Sequence, residues 1–120
     1  PLIQSQYPQA VSAIGRAIEG QRQWRGTIDR LAEGWLDDHL VSDHPPALSR
    51  DGGLDPAIAI AAAQQLWARN GWPRGDMTQA HWLRLADTLR GNDPERYVLP
   101  ASVDVIADNG EVKLSRKVEG

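Results

Sequence analysis

The dipeptide Asn109-Gly110 restricts this chain more than any other feature of its sequence. Asn followed by Gly is the preferred pair for a two-residue type I′ turn, because both central residues need positive φ. Centring a turn there sets Ala107 opposite Val112, Val105 opposite Leu114 and Val103 opposite Arg116. Val103, Val105, Ala107, Val112 and Leu114 then share one face. Asp104, Asp108, Glu111, Lys113 and Ser115 share the other, with Ile106 as the exception. Turn chemistry and apolar alternation specify one register, so a β-hairpin is expected over residues 102–116. A lone hairpin is marginal in water, so its apolar face must pack on helices or on another subunit's strands.

Upstream of the hairpin the periodicity is helical. The pattern starts near Gln9 and runs to about Leu40, with Trp24, Ile28, Leu31 and Trp35 on one stripe. Val11, Ile14 and Ile18 make a second stripe, offset by about a quarter turn at 100° per residue. Gly20 lies between the two, so one long helix and two shorter ones fit equally. Residues 43–53 (DHPPALSRDGG) read as a loop. A second helix has Asp55 as N-cap, Pro56 at its first position and Gly71 just beyond its end, where Trp72 meets Trp67. A third has Thr78 as N-cap, a Met77–Trp82 staple, an apolar face of Trp82, Leu85, Ala86 and Leu89, and Gly91 as its stop. Asp93-Pro94 opens a short turn before Tyr97.

The expected fold is therefore mainly α, three to four helices with a C-terminal β-hairpin, in a small single-domain α+β chain. An extended segment covers residues 1–8, a helical body about 9–91, and the hairpin about 102–116. The 120 residues fit one domain, and a 41% hydrophobic fraction supports a core. With no cysteine, disulfides and thiolate chemistry are excluded. No apolar run approaches the ~20 residues of a membrane span, and no leader precedes the helical pattern, so a cytoplasmic protein with no membrane partner is expected. A net charge of -3 gives no overall attraction to phosphate. The excess of Arg over Lys and the Ala-rich stretches suggest a bacterial or phage coding bias.

Few residues carry candidate chemistry. Asp38, His39, Asp43 and His44, with Asp37, form the densest ionisable cluster and are the candidate metal ligands. Their spacing is poor, since positions five apart on a helix differ by about 140°. His81 sits in the first turn of the third helix without a visible partner. Pro1 followed by apolar residues resembles the start of the small tautomerases, whose N-terminal proline is catalytic, but the helical pattern after Pro8 does not supply their βαβ unit. No phosphate loop, nucleophile elbow or dinucleotide fingerprint is present, and no cofactor is expected.

The function expected from these observations is a small non-enzymatic accessory protein that binds a protein partner or self-associates as an oligomer. Trp67, Trp72, Val103, Val105 and Leu114 are its candidate contacts, as Trp is enriched at interface hot spots and hairpin edges accept partner strands. One alternative is a nucleic-acid-binding regulator using the third helix, with Arg69, Arg74, Arg84 and Arg90 as contacts. The other is a metal-dependent enzyme or metal-binding protein built on the Asp/His cluster.

Overall fold

A computed structural model describes residues 17–92, 96–108 and 110–116. The helix α1 spans Ala17–His39, and the short strands β1 (Leu40–Asp43) and β2 (Pro46–Ser49) follow it. Helices α2 (Pro56–Arg69) and α3 (Gln79–Leu89) come next, then β3 (Arg96–Leu99), a 3₁₀ turn at Pro100–Ser102, β4 (Val103–Ala107) and β5 (Glu111–Arg116). The strands form one antiparallel sheet in the order β1-β2-β5-β4-β3.

The hairpin register is the one its turn dictates: Ala107 faces Val112, Val105 faces Leu114 and Val103 faces Arg116. Asn109 itself lies outside the described residues. Next to it, the Asp108 carboxylate accepts from the backbone N–H groups of Gly110 and Glu111 at 3.0 and 2.9 Å. Its inner face is wholly buried, and Leu48, Tyr97 and Leu99 extend that face across the neighbouring strands.

The expectation of a mainly α chain with an isolated hairpin is corrected by this sheet. The described residues hold three helices and five strands, and the hairpin is the middle of the sheet rather than an appendage. Its outer edges, expected to lack partners within the chain, pair with β2 and β3. The three missed strands are each four residues long and have weak local signals. Leu40–Asp43 continues the helical pattern, Pro46 is tolerated as the first residue of β2, and Arg96–Leu99 is too short to show alternation. They gain their structure by pairing, directly or through β2, with a hairpin that is itself well specified.

Helix α1 is continuous from Ala17 through Gly20, while the stripe at Val11 and Ile14 falls outside the described residues. Its buried side is Ala32, Trp35 and Leu36, with Ile28 partly covered. Trp24 and Leu31, on the same apolar stripe as Trp35, are each 51% exposed. The helices that follow obey their punctuation. Asp55 Oδ1 accepts from the N–H groups of Ala57 and Ile58 at 2.8 and 3.3 Å. At the other end of α2, Gly71 has φ +67, its N–H reaches Ala68 O, and the Trp72 N–H reaches Trp67 O at 3.2 Å. These two bonds make a Schellman ending. Thr78 and His81 form a reciprocal capping box on α3.

The core lies between the helices and the inner face of the sheet. Trp67 is fully buried at its centre, with Trp72 and Trp82 set edge-on at centroid distances of 5.1 and 5.6 Å. Its indole N–H donates to Pro73 O at 2.8 Å, which satisfies the one polar group it carries. Around it α2 presents Ala59, Ala62 and Ala63, all at 0% exposure, so its backbone packs close to its neighbours. Ala62→Leu therefore overfills a site with no spare volume and should cost about 1–3 kcal/mol. Urea unfolding followed by circular dichroism measures that loss, and an unchanged midpoint would refute the close packing.

Candidate functional site

Two ionisable clusters lie on either side of the end of α1. The first is built on Asp51, in the loop after β2. The Trp35 indole N–H donates to Asp51 Oδ2 at 3.0 Å, and the Gly53 N–H donates to Oδ1 at 2.9 Å. His39, one turn beyond Trp35, stacks on its ring at 4.3 Å and donates from Nδ1 to Trp35 O at 2.9 Å. The same ring orientation places His39 Nε2 3.7 Å from Asp51 Oδ2. The Trp35 hydrogen bond and then the Gly53 N–H hold the Asp51 carboxyl below its ordinary value of 3.8, with a lesser contribution from the charge of His39, against the opposing effect of burial.

Asp51 thus strengthens the fold wherever it is ionised. A depressed folded-state value means that this contribution is complete above the ordinary carboxylate range and is lost as pH falls through the folded value. Wild-type protein should therefore be more stable than Asp51→Asn at pH 7, and the gap should close as pH falls below the ordinary carboxylate value of 3.8 and through the depressed folded value. Urea midpoints of both proteins across that range check this, and a gap independent of pH would refute it.

The second cluster surrounds an open depression of about 140 Å³ between β1, the β1–β2 turn and the C-terminal end of α2. Its floor is Leu40, Pro46 and Leu66, and its rim is Asp43, His44, Arg69 and Asn70. Arg69 is anchored by Asp37, Nη2 to Oδ1 at 3.1 Å, and Asn70 by its Nδ2 bond to Leu66 O at 2.8 Å. The candidate metal ligands are divided between the two clusters: His39 turns to Asp51, Asp43 and His44 border the depression, and Asp38 is exposed on α1. Among the described residues no three His, Cys, Asp or Glu side chains come together as metal ligands. The Arg69 guanidinium on the same rim also repels a cation there.

The four candidate nucleic-acid arginines each have a separate local contact. Arg69 pairs with Asp37, and Arg90 donates from Nε to Leu54 O at 2.8 Å and lies 3.7 Å from Asp87. Arg74 lies over the Trp82 ring at 5.4 Å and Arg84 over Tyr97 at 3.9 Å. Of the candidate partner contacts, Trp67, Val103, Val105 and Leu114 are fully buried and Trp72 is half-buried. Their apolar area is used inside the fold, since the core closes over the hairpin's inner face. Among the described residues no helix is long and apolar enough to cross a membrane.

Arg50, Asp51 and Asn70 were not singled out by sequence. The first two lie in a stretch read as loop, and Asn70 reads only as a helix end. The signal for Asp51 was present in Asp51-Gly52-Gly53, where a short acidic side chain ahead of two glycines can accept from its own loop.

No family model matches the chain. It is similar to the tRNA(Ile)-lysidine synthase of Rhodopirellula baltica, 35% identical over an alignment of 110 residues. The match covers 74% of this chain and 28% of that enzyme, so the chain spans under a third of the length of the relative it matches. This similarity overturns the expectation of a non-enzymatic accessory protein or regulator. It points to a segment of an enzyme.

Proposed function

We propose that this chain is a segment of a tRNA-modifying enzyme of the lysidine synthase kind, and that its part in that enzyme is to hold the tRNA. The observation that carries the reading is the 35% identity to an enzyme whose name specifies tRNA(Ile). The ionisable groups described above support the division of labour. His39 and Asp51 are tied to Trp35 and the loop, His81 is used in a helix cap, and Arg50 and Arg90 are tied to backbone carbonyls. These groups are committed to holding the fold. RNA is the natural partner under this reading, in place of a protein partner or a second copy.

The proposal is tested by fluorescence anisotropy of the 120-residue chain with a labelled tRNA(Ile) transcript and with a DNA duplex of similar length. At physiological salt the tRNA should bind at least about tenfold tighter, a difference of about 1.4 kcal/mol. Equal affinity for the two, or no binding of tRNA at low salt, would remove the reading.

A further inference from the structure

We propose that Asn70-Gly71 is a deamidation site held shut by the ending of α2: the asparagine converts only when that helix end opens, and its conversion then prevents full reclosure. The site rests on the geometry of the helix ending and is independent of the function proposed above.

An asparagine followed by a glycine can react with its own backbone. The glycine nitrogen attacks the asparagine Cγ. The N–Cγ bond forms, the Cγ–Nδ2 bond breaks, and the proton of the attacking nitrogen leaves with the amide as ammonia. Water then adds to either carbonyl of the resulting succinimide and opens it to aspartate or to isoaspartate. Glycine favours the attack because it has no side chain to obstruct its nitrogen. The chain has two Asn-Gly pairs, at 70–71 and 109–110, and the first lies within the described residues. Asn70 is half-buried and Gly71 is exposed, so water reaches the pair.

The folded chain opposes the attack in three ways. Ring closure needs Gly71 N to swing level with Cβ of Asn70. The ψ of 0 at Asn70 sets it level with that residue's own nitrogen instead, about a third of a turn away around the Cα–C bond. The Gly71 N–H, whose proton must be lost, donates to Ala68 O at 3.0 Å. Asn70 Nδ2 donates to Leu66 O at 2.8 Å, which fixes the side-chain amide against the last turn of α2. Turning ψ toward the reactive geometry breaks the Gly71 bond and the neighbouring bond from the Trp72 N–H to Trp67 O. The reaction therefore waits on a local opening of the helix end, which costs less than global unfolding.

The product does not fit the closed ending. A carboxylate has no proton to donate, so Leu66 O loses its side-chain partner. It also places a negative charge at the C-terminus of α2, where the helix dipole opposes it. Isoaspartate in addition inserts a methylene into the backbone at the Schellman turn. An opening that ends in chemistry thus leaves a helix end that recloses less well.

The test follows the full chain at mildly alkaline pH, folded and unfolded in urea, with conversion of Asn70 read by peptide mapping and mass spectrometry. Asn70 should convert at least about tenfold more slowly in the folded chain, since opening must precede attack. A smaller ratio overturns the protection. Asn70→Asp supplies the aspartate product directly. Its amide exchange at Gly71 and Trp72 should quicken at least about tenfold over wild type, with circular dichroism confirming that the helices are kept. Unchanged exchange at those two amides overturns the one-way step.

Discussion

Residues 50 and 51 join parts of this fold that are far apart in sequence. Arg50 donates from Nε to Thr88 O at 2.9 Å and from Nη2 to Asn92 O at 2.7 Å, and Nη1 donates to Asp108 O at the hairpin turn. Its own N–H reaches Gly110 O at 3.0 Å. One guanidinium thereby satisfies carbonyls at the end of α3, in the segment after it and at the tip of the central hairpin. Asp51 continues the junction: its N–H donates to Leu89 O while its carboxylate receives the Trp35 indole. Helix ends leave carbonyls without partners, and a rigid planar donor with several N–H groups suits them well. Cutting this junction would release α1, α3 and the hairpin from one another together.

That junction also sets where the two clusters lie. Trp35 and His39 are on the last turns of α1, so fixing Asp51 fixes the end of that helix, from which β1 runs directly into the depression. The opposite wall comes from α2, whose last turn is locked by the Schellman bonds and by Asn70. The position of Asp43 relative to Asn70 therefore depends on a helix cap on one side and a partly buried indole–carboxylate bond on the other. The helix cap belongs to the depression's own lining, through Leu66 and Asn70, whereas the indole–carboxylate bond lies outside it.

How much of this was legible in the sequence follows the range of each signal. Turns and caps are local, so Asp55, Gly71, Thr78 and the hairpin register could be read from a few neighbouring residues. The sheet could not. β2 exists because Leu48 pairs with Val112 and Ala47 with Lys113, contacts more than sixty positions apart in the chain, and nothing within Pro46–Ser49 announces them. The Trp24 assignment failed for a related reason. An amphipathic stripe shows which side of a helix is apolar, yet burial depends on what packs there, and along α1 Ala32, Trp35 and Leu36 are buried while Trp24 and Leu31 stay half exposed. The candidate site suffered likewise: Asp43 and His44 were visible as polar residues, but Arg69 and Asn70 join them only through the packing of α2.

The charge of the chain bears on what kind of RNA contact it can make. With a net charge of -3 the long-range attraction that drives sequence-independent phosphate binding is absent, and several arginines are already bound to carboxylates or carbonyls. Asp104, buried on the outward side of β4, takes Arg96 at 2.8 Å and so removes a further cation from any phosphate-binding surface. A domain of this kind gains little from tracking a nucleic-acid backbone. Its contribution under the proposed function has to be local, through a few directed contacts on the tRNA. Phosphate contacts position and base contacts specify. A chain with this net charge and with its arginines so engaged is weighted toward the second role.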